Sequence, residues 1–230
     1  MNVYAISDLH LPGGMDKPMN VFGEKWEGHF ERIADDWTTK AGKDDVVLLP
    51  GDLSWALQLD DAREDIAKIG ALPGRKVILR GNHDYWWTSI SRVRDALPPG
   101  MYALQNDALN IDGLILCGTR GWKDREEGWD ENDENVYLRE IKRLELSVQS
   151  AERLGNGPKV CMMHYPPLSA AQTDTPFTRI IEAGGITHAV YGHLHDTALK
   201  GAFRGEHNGV RYHQVSCDGT DFRLEKIIEI

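Results

Sequence analysis

The residues of this chain that can do chemistry stand at the ends of apolar runs. Val77-Ile78-Leu79 leads through Arg80-Gly81 into Asn82-His83-Asp84, three consecutive side chains able to bind a metal ion or move a proton. A strand built only for packing seldom closes on such a triplet, because each group loses free energy when buried without a partner. Four other runs close the same way: Ile6-Ser7-Asp8-Leu9-His10, Leu48-Leu49-Pro50-Gly51-Asp52, Cys161-Met162-Met163-His164 and Val190-Tyr191-Gly192-His193-Leu194-His195. Asp8, His10, Asp52, Asn82, His164, His193 and His195 offer oxygen and imidazole donors and no thiolate. That set suits Mn²⁺, Fe²⁺ or Zn²⁺ at a catalytic centre. It exceeds the three or four protein groups that one ion takes while leaving room for water, so two divalent ions are the natural count. Asp8 and His10 are two apart, as are His193 and His195, and extended backbone would turn each pair to one side.

Elements must carry these ends to one place. Apolar runs at 3–6, 46–49 and 76–79 read as strands, with helices over 26–40, 59–71 and 89–97 between and after them. Strands alternating with helices at this spacing predict parallel β-α-β units, whose ligands bind beyond the carboxyl ends of the strands. The second half predicts short strands at 102–105, 108–111 and 114–117, a long helix over 136–154, and strands at 160–163 and 188–191. Further strands are expected at 198–203, 210–216 and 222–230, with Asn208-Gly209 as a hairpin turn. The expected fold is α/β, with two sheets packed face to face and helices outside. One domain over 1–230 is expected, with an aromatic and acidic insertion around 119–155 shaping the substrate cleft.

Composition narrows the partners. The net charge is -10 and no run of Lys or Arg exceeds two residues, so the basic footprint of a protein that binds duplex nucleic acid or an anionic membrane is missing. Cys117, Cys161 and Cys217 are far apart in apolar settings and read as free buried thiols of a reducing compartment. No apolar run approaches the length of about 18 residues that a membrane helix needs, and no signal-peptide pattern opens the sequence. A cytoplasmic protein is expected.

The ordered series Asp-x-His, Gly-Asp, Gly-Asn-His-Asp, His and Gly-His-x-His resembles the calcineurin-like metallophosphoesterase superfamily over about residues 3–220. Each motif alone is weak; five in order are specific. The resemblance implies a four-layer α-β-β-α sandwich with a dinuclear centre at its strand ends. It further implies that Asp8, His10 and His195 hold one ion, that Asn82, His164 and His193 hold the other, and that Asp52 bridges them. His83 would be a catalytic histidine outside the ligand set. The reaction implied is attack on a phosphate ester by a hydroxide held between two ions about 3.5–4 Å apart. His83 would protonate the leaving alkoxide or stabilise the charged phosphoryl group, with Asp84 placed to orient or charge it. The four remaining histidines, His29, His188, His207 and His213, read as structural.

Departures refine the reading. Within the superfamily that this chain resembles, Trp55 stands where purple acid phosphatases carry a tyrosine ligand, which argues against a ferric centre. The serine/threonine phosphatase motif after Gly51-Asp52 is broken, so Arg80 is a weak phosphate contact, and Arg120 or Arg179 are others. The similarity to cyclic-nucleotide phosphodiesterases tilts the expected substrate to a small phosphodiester rather than a monoester, with a nucleotide-like group open. The alternatives are a non-catalytic interaction scaffold of the same fold or a nuclease of the superfamily. Trp55, Trp86, Trp87, Trp122 and Trp129 stand near the motifs, to stack a flat group or to pack under loops. The acids of 124–134 read chiefly as a solvated approach to a helix N-terminus; overhanging the site, they would repel polyanions.

Overall fold

The structure, a computed structural model, describes residues 1–15, 17–125 and 128–230. Its first strands and helices are β1 (Asn2–Ala5), α1 (His29–Lys40), β2 (Val46–Leu49), α2 (Leu59–Ala71), β3 (Arg75–Ile78), α3 (Ile90–Ala96) and β4 (Met101–Ala103). Next come β5 (Ala108–Ile111), β6 (Leu114–Thr119), α4 (Glu131–Glu152), β7 (Lys159–Met163), α5 (Pro176–Ala183) and β8 (His188–Tyr191). The chain closes through β9 (Gly205–His207), β10 (Val210–Gln214) and β11 (Glu225–Glu229).

One sheet has the order β11-β1-β2-β3-β4, the other β5-β6-β7-β8-β10-β9. β1 to β4 run parallel, as do β6, β7, β8 and β10; β11, β5 and β9 are antiparallel edges. Central strands covered on both faces read as continuous apolar runs, and β2 is buried at all four positions. Alternate residues then face opposite layers: Val46 and Leu48 pack between the sheets with Val160, Met162 and Val190, whereas Val47 and Leu49 face a cluster holding Ile33, Trp37, Ile66 and Val93 of α1 to α3. The outer face of the second sheet packs Cys117, Cys161 and Met163 against Leu144 and Val148 of α4 and Ile181 of α5. These are the four α-β-β-α layers.

Two elements depart from expectation. α4 begins at Glu131 rather than 136, because Asp130 caps it: its carboxylate accepts the Asp133 N–H at 2.8 Å, and Asp133 reciprocates. The capping carboxylates lie in the acidic stretch that hid the boundary. Residues 198–203 are not a strand; a 3₁₀ turn spans Asp196–Gly201, with the N–H groups of Asp196 and Ala198 taken by Asp218 Oδ2 and His195 O. The Asn208-Gly209 hairpin joins β9 to β10 as expected. Among the described residues no helix is long and apolar enough to cross a membrane.

Candidate metal centre

Loops after β1, β2 and β3 carry Asp8 and His10, Asp52, and Asn82-His83-Asp84; loops after β7 and β8 carry His164, His193 and His195. All leave the carboxyl ends of parallel strands, and a parallel bridge between Ser7 and Ser216 joins the two sheets there. The expected extended geometry of Asp8 and His10 does not occur. Asp8, His10, Asp52 and His193 have φ of 59°, 46°, 53° and 70°. Left-handed backbone is costly for residues other than glycine and gathers at functional sites. It turns Asp8 and His10 into the centre from a tight loop rather than from one strand face.

The seven side chains converge. Potential ligand atoms of Asp8, His10 and His195 lie within 4.8 Å of one another, as do those of Asp8, Asp52 and His164. Asp52 Oδ2 is 3.5 Å from His164 Nε2 and 4.0 Å from His10 Nε2. Asn82 Oδ1 lies 2.6 Å from His164 Nε2 and 2.9 Å from His193 Nδ1. Glycines make the approach possible: a Cβ on Gly81 would fall 2.0 Å from Asp52 Oδ1, and one on Gly192 would fall 2.3 Å from Asp8 Oδ2.

Outer groups fix the inner ones. His164 Nδ1 lies 3.0 Å from Pro50 O, which leaves Nε2 facing inward. His195 Nδ1 is 2.8 Å from Asp218 Oδ1, while its Nε2 is 3.3 Å from Asp8 Oδ1. Asp218 also accepts the Lys25 ammonium at 2.9 Å. Sequence reasoning missed Asp218, although Val215-Ser216-Cys217-Asp218 is itself an apolar strand end closing on an acid. Cys217 donates its Sγ hydrogen to Asp8 O at 3.0 Å, and Ser7 Oγ donates to Asp8 Oδ2.

Asp84 does not orient His83. Its Oδ1 accepts from Leu53 N, Ser54 N and Trp86 Nε1, and its Oδ2 from Asp52 N and Gly81 N. Five donors saturate this fully buried carboxylate, so it ties the Asp52 loop to the Asn82 loop. The expected protonation of His83 is not favoured either. Burial first, then Lys17, holds the His83 pKa below its usual value, with Asp8 opposing.

The electrostatics test whether cations fit. Burial pushes His10 and His164 down to about 3 and His193 to about 4. These imidazoles are neutral at physiological pH, the form that ligates metal. His195 is raised to about 10: burial opposes the charge, but Asp218 and Asp8 outweigh it. Burial, then the charges of Asp8 and Asp84, drives Asp52 well above the carboxylate range. Burial would do the same to Asp8, but His195 and the other imidazoles hold it low. His10 Nδ1 is buried with no hydrogen-bond partner among the described residues. Asp8 and Asp52 sit among three neutral imidazoles and one charged ring, His195, which Asp8 shares with Asp218; hard or borderline divalent cations fit that oxygen and imidazole donor set.

The family model of the calcineurin-like phosphoesterases matches residues 1–197. The chain is a calcineurin-like phosphoesterase. As such it is a metal-dependent hydrolase of phosphoric esters. A relative from Mycobacterium phage D29, the Gene 66 protein, is 27% identical over 206 residues, 86% of this phosphoesterase and 81% of the relative. Among solved structures, the phosphopantetheinyl hydrolase of Mycobacterium tuberculosis superposes with a TM-score of 0.57 at 16% identity, covering 100% of this chain and 96% of its own. A protein of unknown function from Aquifex aeolicus superposes with a TM-score of 0.50 at 14% identity, over 98% and 95%. These likenesses are of fold.

Two cavities meet at the centre of the phosphoesterase. The smaller, about 260 Å³, is lined by His10, Asp52, His83, Trp55 and Trp26 among others. Trp55 stacks on His10 with centroids 4.6 Å apart, and the Lys17 ammonium lies 3.3 Å over its outer face. The larger, about 320 Å³, runs from His193 to Trp122. Trp86 and Trp87 are buried, with indole N–H groups bound to Asp84 and Gln105. Trp129 packs on Tyr137. Of the five expected tryptophans, Trp122 lines the larger cavity and Trp55 the smaller. Trp26, at the smaller cavity, was not expected. Arg179 is exposed on α5 and lines neither cavity. Arg120 packs over Trp122, and its carbonyl accepts the His164 N–H at 3.1 Å. Of the acids in 124–134, Glu126 and Glu127 lie outside the described residues; Asp130, Glu131, Asp133 and Glu134 cap or begin α4.

Proposed function

We propose that this phosphoesterase, a single domain over 1–230, holds two divalent ions (Mn²⁺, Fe²⁺ or Zn²⁺) and hydrolyses small phosphodiesters. Asp8, His10 and His195 would hold one ion, Asn82, His164 and His193 the other, with Asp52 between them. The observation that carries this reading is Asp52 Oδ2, which faces one imidazole of each set, 4.0 Å from His10 Nε2 and 3.5 Å from His164 Nε2. Two such ions supply acidification of a water and neutralisation of phosphate charge.

The chain's own residues do the rest. His83 stands just beyond Asn82 at the smaller cavity, where it can deliver a proton to the departing oxygen. Its backbone N–H donates to Asp52 Oδ1 at 2.8 Å, which fixes its place relative to the bridge. The diester preference rests on space, since a monoester has one organic arm and two cavities adjoin the centre.

The test is turnover of a chromogenic diester and monoester by Mn²⁺-loaded protein beside Asp52→Asn and His83→Ala. The diester should be preferred, Asp52→Asn inactive, and His83→Ala slower by about 10²–10⁴-fold. Full activity in Asp52→Asn would sink the two-ion reading.

A further inference from the structure

The two cavities differ in chemistry, and His193 belongs to both. Aromatic faces wall the larger one: Trp122, Tyr137, Tyr165, Phe177, Tyr191 and Phe203. Tyr165 lies against the His193 ring, centroids 4.1 Å apart, so this wall is continuous with the centre. The phenols bring no charge. Burial raises Tyr137, Tyr165 and Tyr191, Tyr165 to about 12, and the Tyr191 hydroxyl is already spent on Phe203 O at 2.6 Å.

Charge at this cavity is sparse and committed. Besides His193, its described ionisable residues other than tyrosine are Lys123 and Asp124. Lys123 Nζ is paired with Asp133 Oδ2 at 3.0 Å, and Asp124 Oδ2 accepts the Ala170 N–H at 2.9 Å. A phosphate or carboxylate entering here would find the ammonium occupied and a carboxylate beside it. An uncharged ring would meet aromatic faces and lose only its hydration, which favours burial.

We propose that the larger cavity binds one organic arm of the substrate, an uncharged flat group, while the second arm occupies the smaller cavity beside Trp55 and His83. This rests on the phosphodiesterase reading above and narrows its substrate to an ester whose arm in the larger cavity is neutral. Water is added across one P–O bond; an alcohol carrying one arm and a phosphomonoester carrying the other leave. Esters with further phosphates on the arm in the larger cavity are excluded.

The test fills the larger cavity without touching the centre. Ala202 lines it beside Phe203 in the chain, and Ala202→Trp would place an indole in its volume. Phenyl p-nitrophenyl phosphate has two aryl arms, and methyl p-nitrophenyl phosphate has one. On Mn²⁺-loaded protein the phenyl ester should exceed the methyl ester in kcat/KM by at least about tenfold, the scale of burying a ring. In Ala202→Trp that advantage should fall below about threefold, with an unchanged melting temperature showing that the fold survives. Binding supplies an independent readout: diphenyl phosphate should quench tryptophan fluorescence at concentrations at least about tenfold below those needed of dimethyl phosphate. Trp122→Phe should remove most of the quench and Ala202→Trp the preference.

The failures separate. Turnover of both esters with the same ratio in wild type and Ala202→Trp overturns the cavity assignment and leaves the phosphodiesterase standing. Selective binding of diphenyl phosphate without turnover of any ester overturns the phosphodiesterase reading and upholds the cavity as a binder of neutral aryl arms. Equal binding of diphenyl and dimethyl phosphate overturns the assignment directly.

Discussion

The backbone N–H of Asp52 donates to Asp84 Oδ2 at 2.9 Å, and the backbone N–H of His83 donates to Asp52 Oδ1 at 2.8 Å. The two acidic loops are therefore cross-tied, with the buried Asp84 as the knot and Asp52 as the group presented to the centre. The pairing of loops depends on a carboxylate with acceptors on both sides.

Asp84→Asn keeps the shape but turns one oxygen into a donor facing two or three N–H groups. The expected cost is about 2–4 kcal/mol, from buried donors left without acceptors. Urea denaturation of metal-free protein measures it; a loss under about 0.5 kcal/mol would show that the network is dispensable.

Asp218 acts through His195. Asp218→Asn removes the carboxylate 2.8 Å from His195 Nδ1, and metal affinity should fall about 10–100-fold. Calorimetric titration with Mn²⁺ reads this directly. Equal affinity in the variant would mean that His195 is oriented by its backbone alone.

Gly192 is needed for space. Its added Cβ would meet Ser7 Oγ at 2.2 Å and Asp8 Oδ2 at 2.3 Å, whereas one on Gly42 would make ordinary contact at 3.6 Å with Asp45 Oδ2. Gly192→Ala should lower metal stoichiometry and stability by about 1–3 kcal/mol, on the overpacking scale, and Gly42→Ala should change neither by more than about 0.5 kcal/mol. Parallel metal analysis and melting curves decide between them.

The metal-free protein should weaken in acid. His10, His164 and His193 have folded pKa values of about 3, 3 and 4, below the ordinary 6.5, so their contribution is full above 6.5 and is lost as pH falls toward the folded values. Each should cost about 1–2 kcal/mol between pH 7 and pH 5. The raised pKa of Asp52 opposes this over part of the range, because the folded state then takes up a proton. Urea midpoints at the two pH values check the sign; higher stability at pH 5 would contradict it.

The strand ends were legible because a covered parallel strand must be apolar and its polar terminus then stands out. Val46–Leu49 and Leu59–Ala71 fall where the pattern puts them. The order of motifs carried the metallophosphoesterase resemblance. What stayed hidden depends on contacts across long separations. Asp218 meets His195 from 23 residues away, and Asp84 serves backbone donors some 30 residues earlier. The left-handed turns at Asp8 and His10 are invisible because neither is glycine. The start of α4 was lost for a different reason: its capping carboxylates look like any acidic loop.

Asp8, His10, Asp52 and Asn82 come from one sheet, His164, His193 and His195 from the other. The layer between the sheets is aliphatic, and such contacts resist separation far better than sliding, since dispersion and hydration have little direction. Cations coordinated from both sides would work as a rivet through two greased plates. Resistance to shear would then reside at one rim of the sandwich, the rim that carries the candidate metal centre.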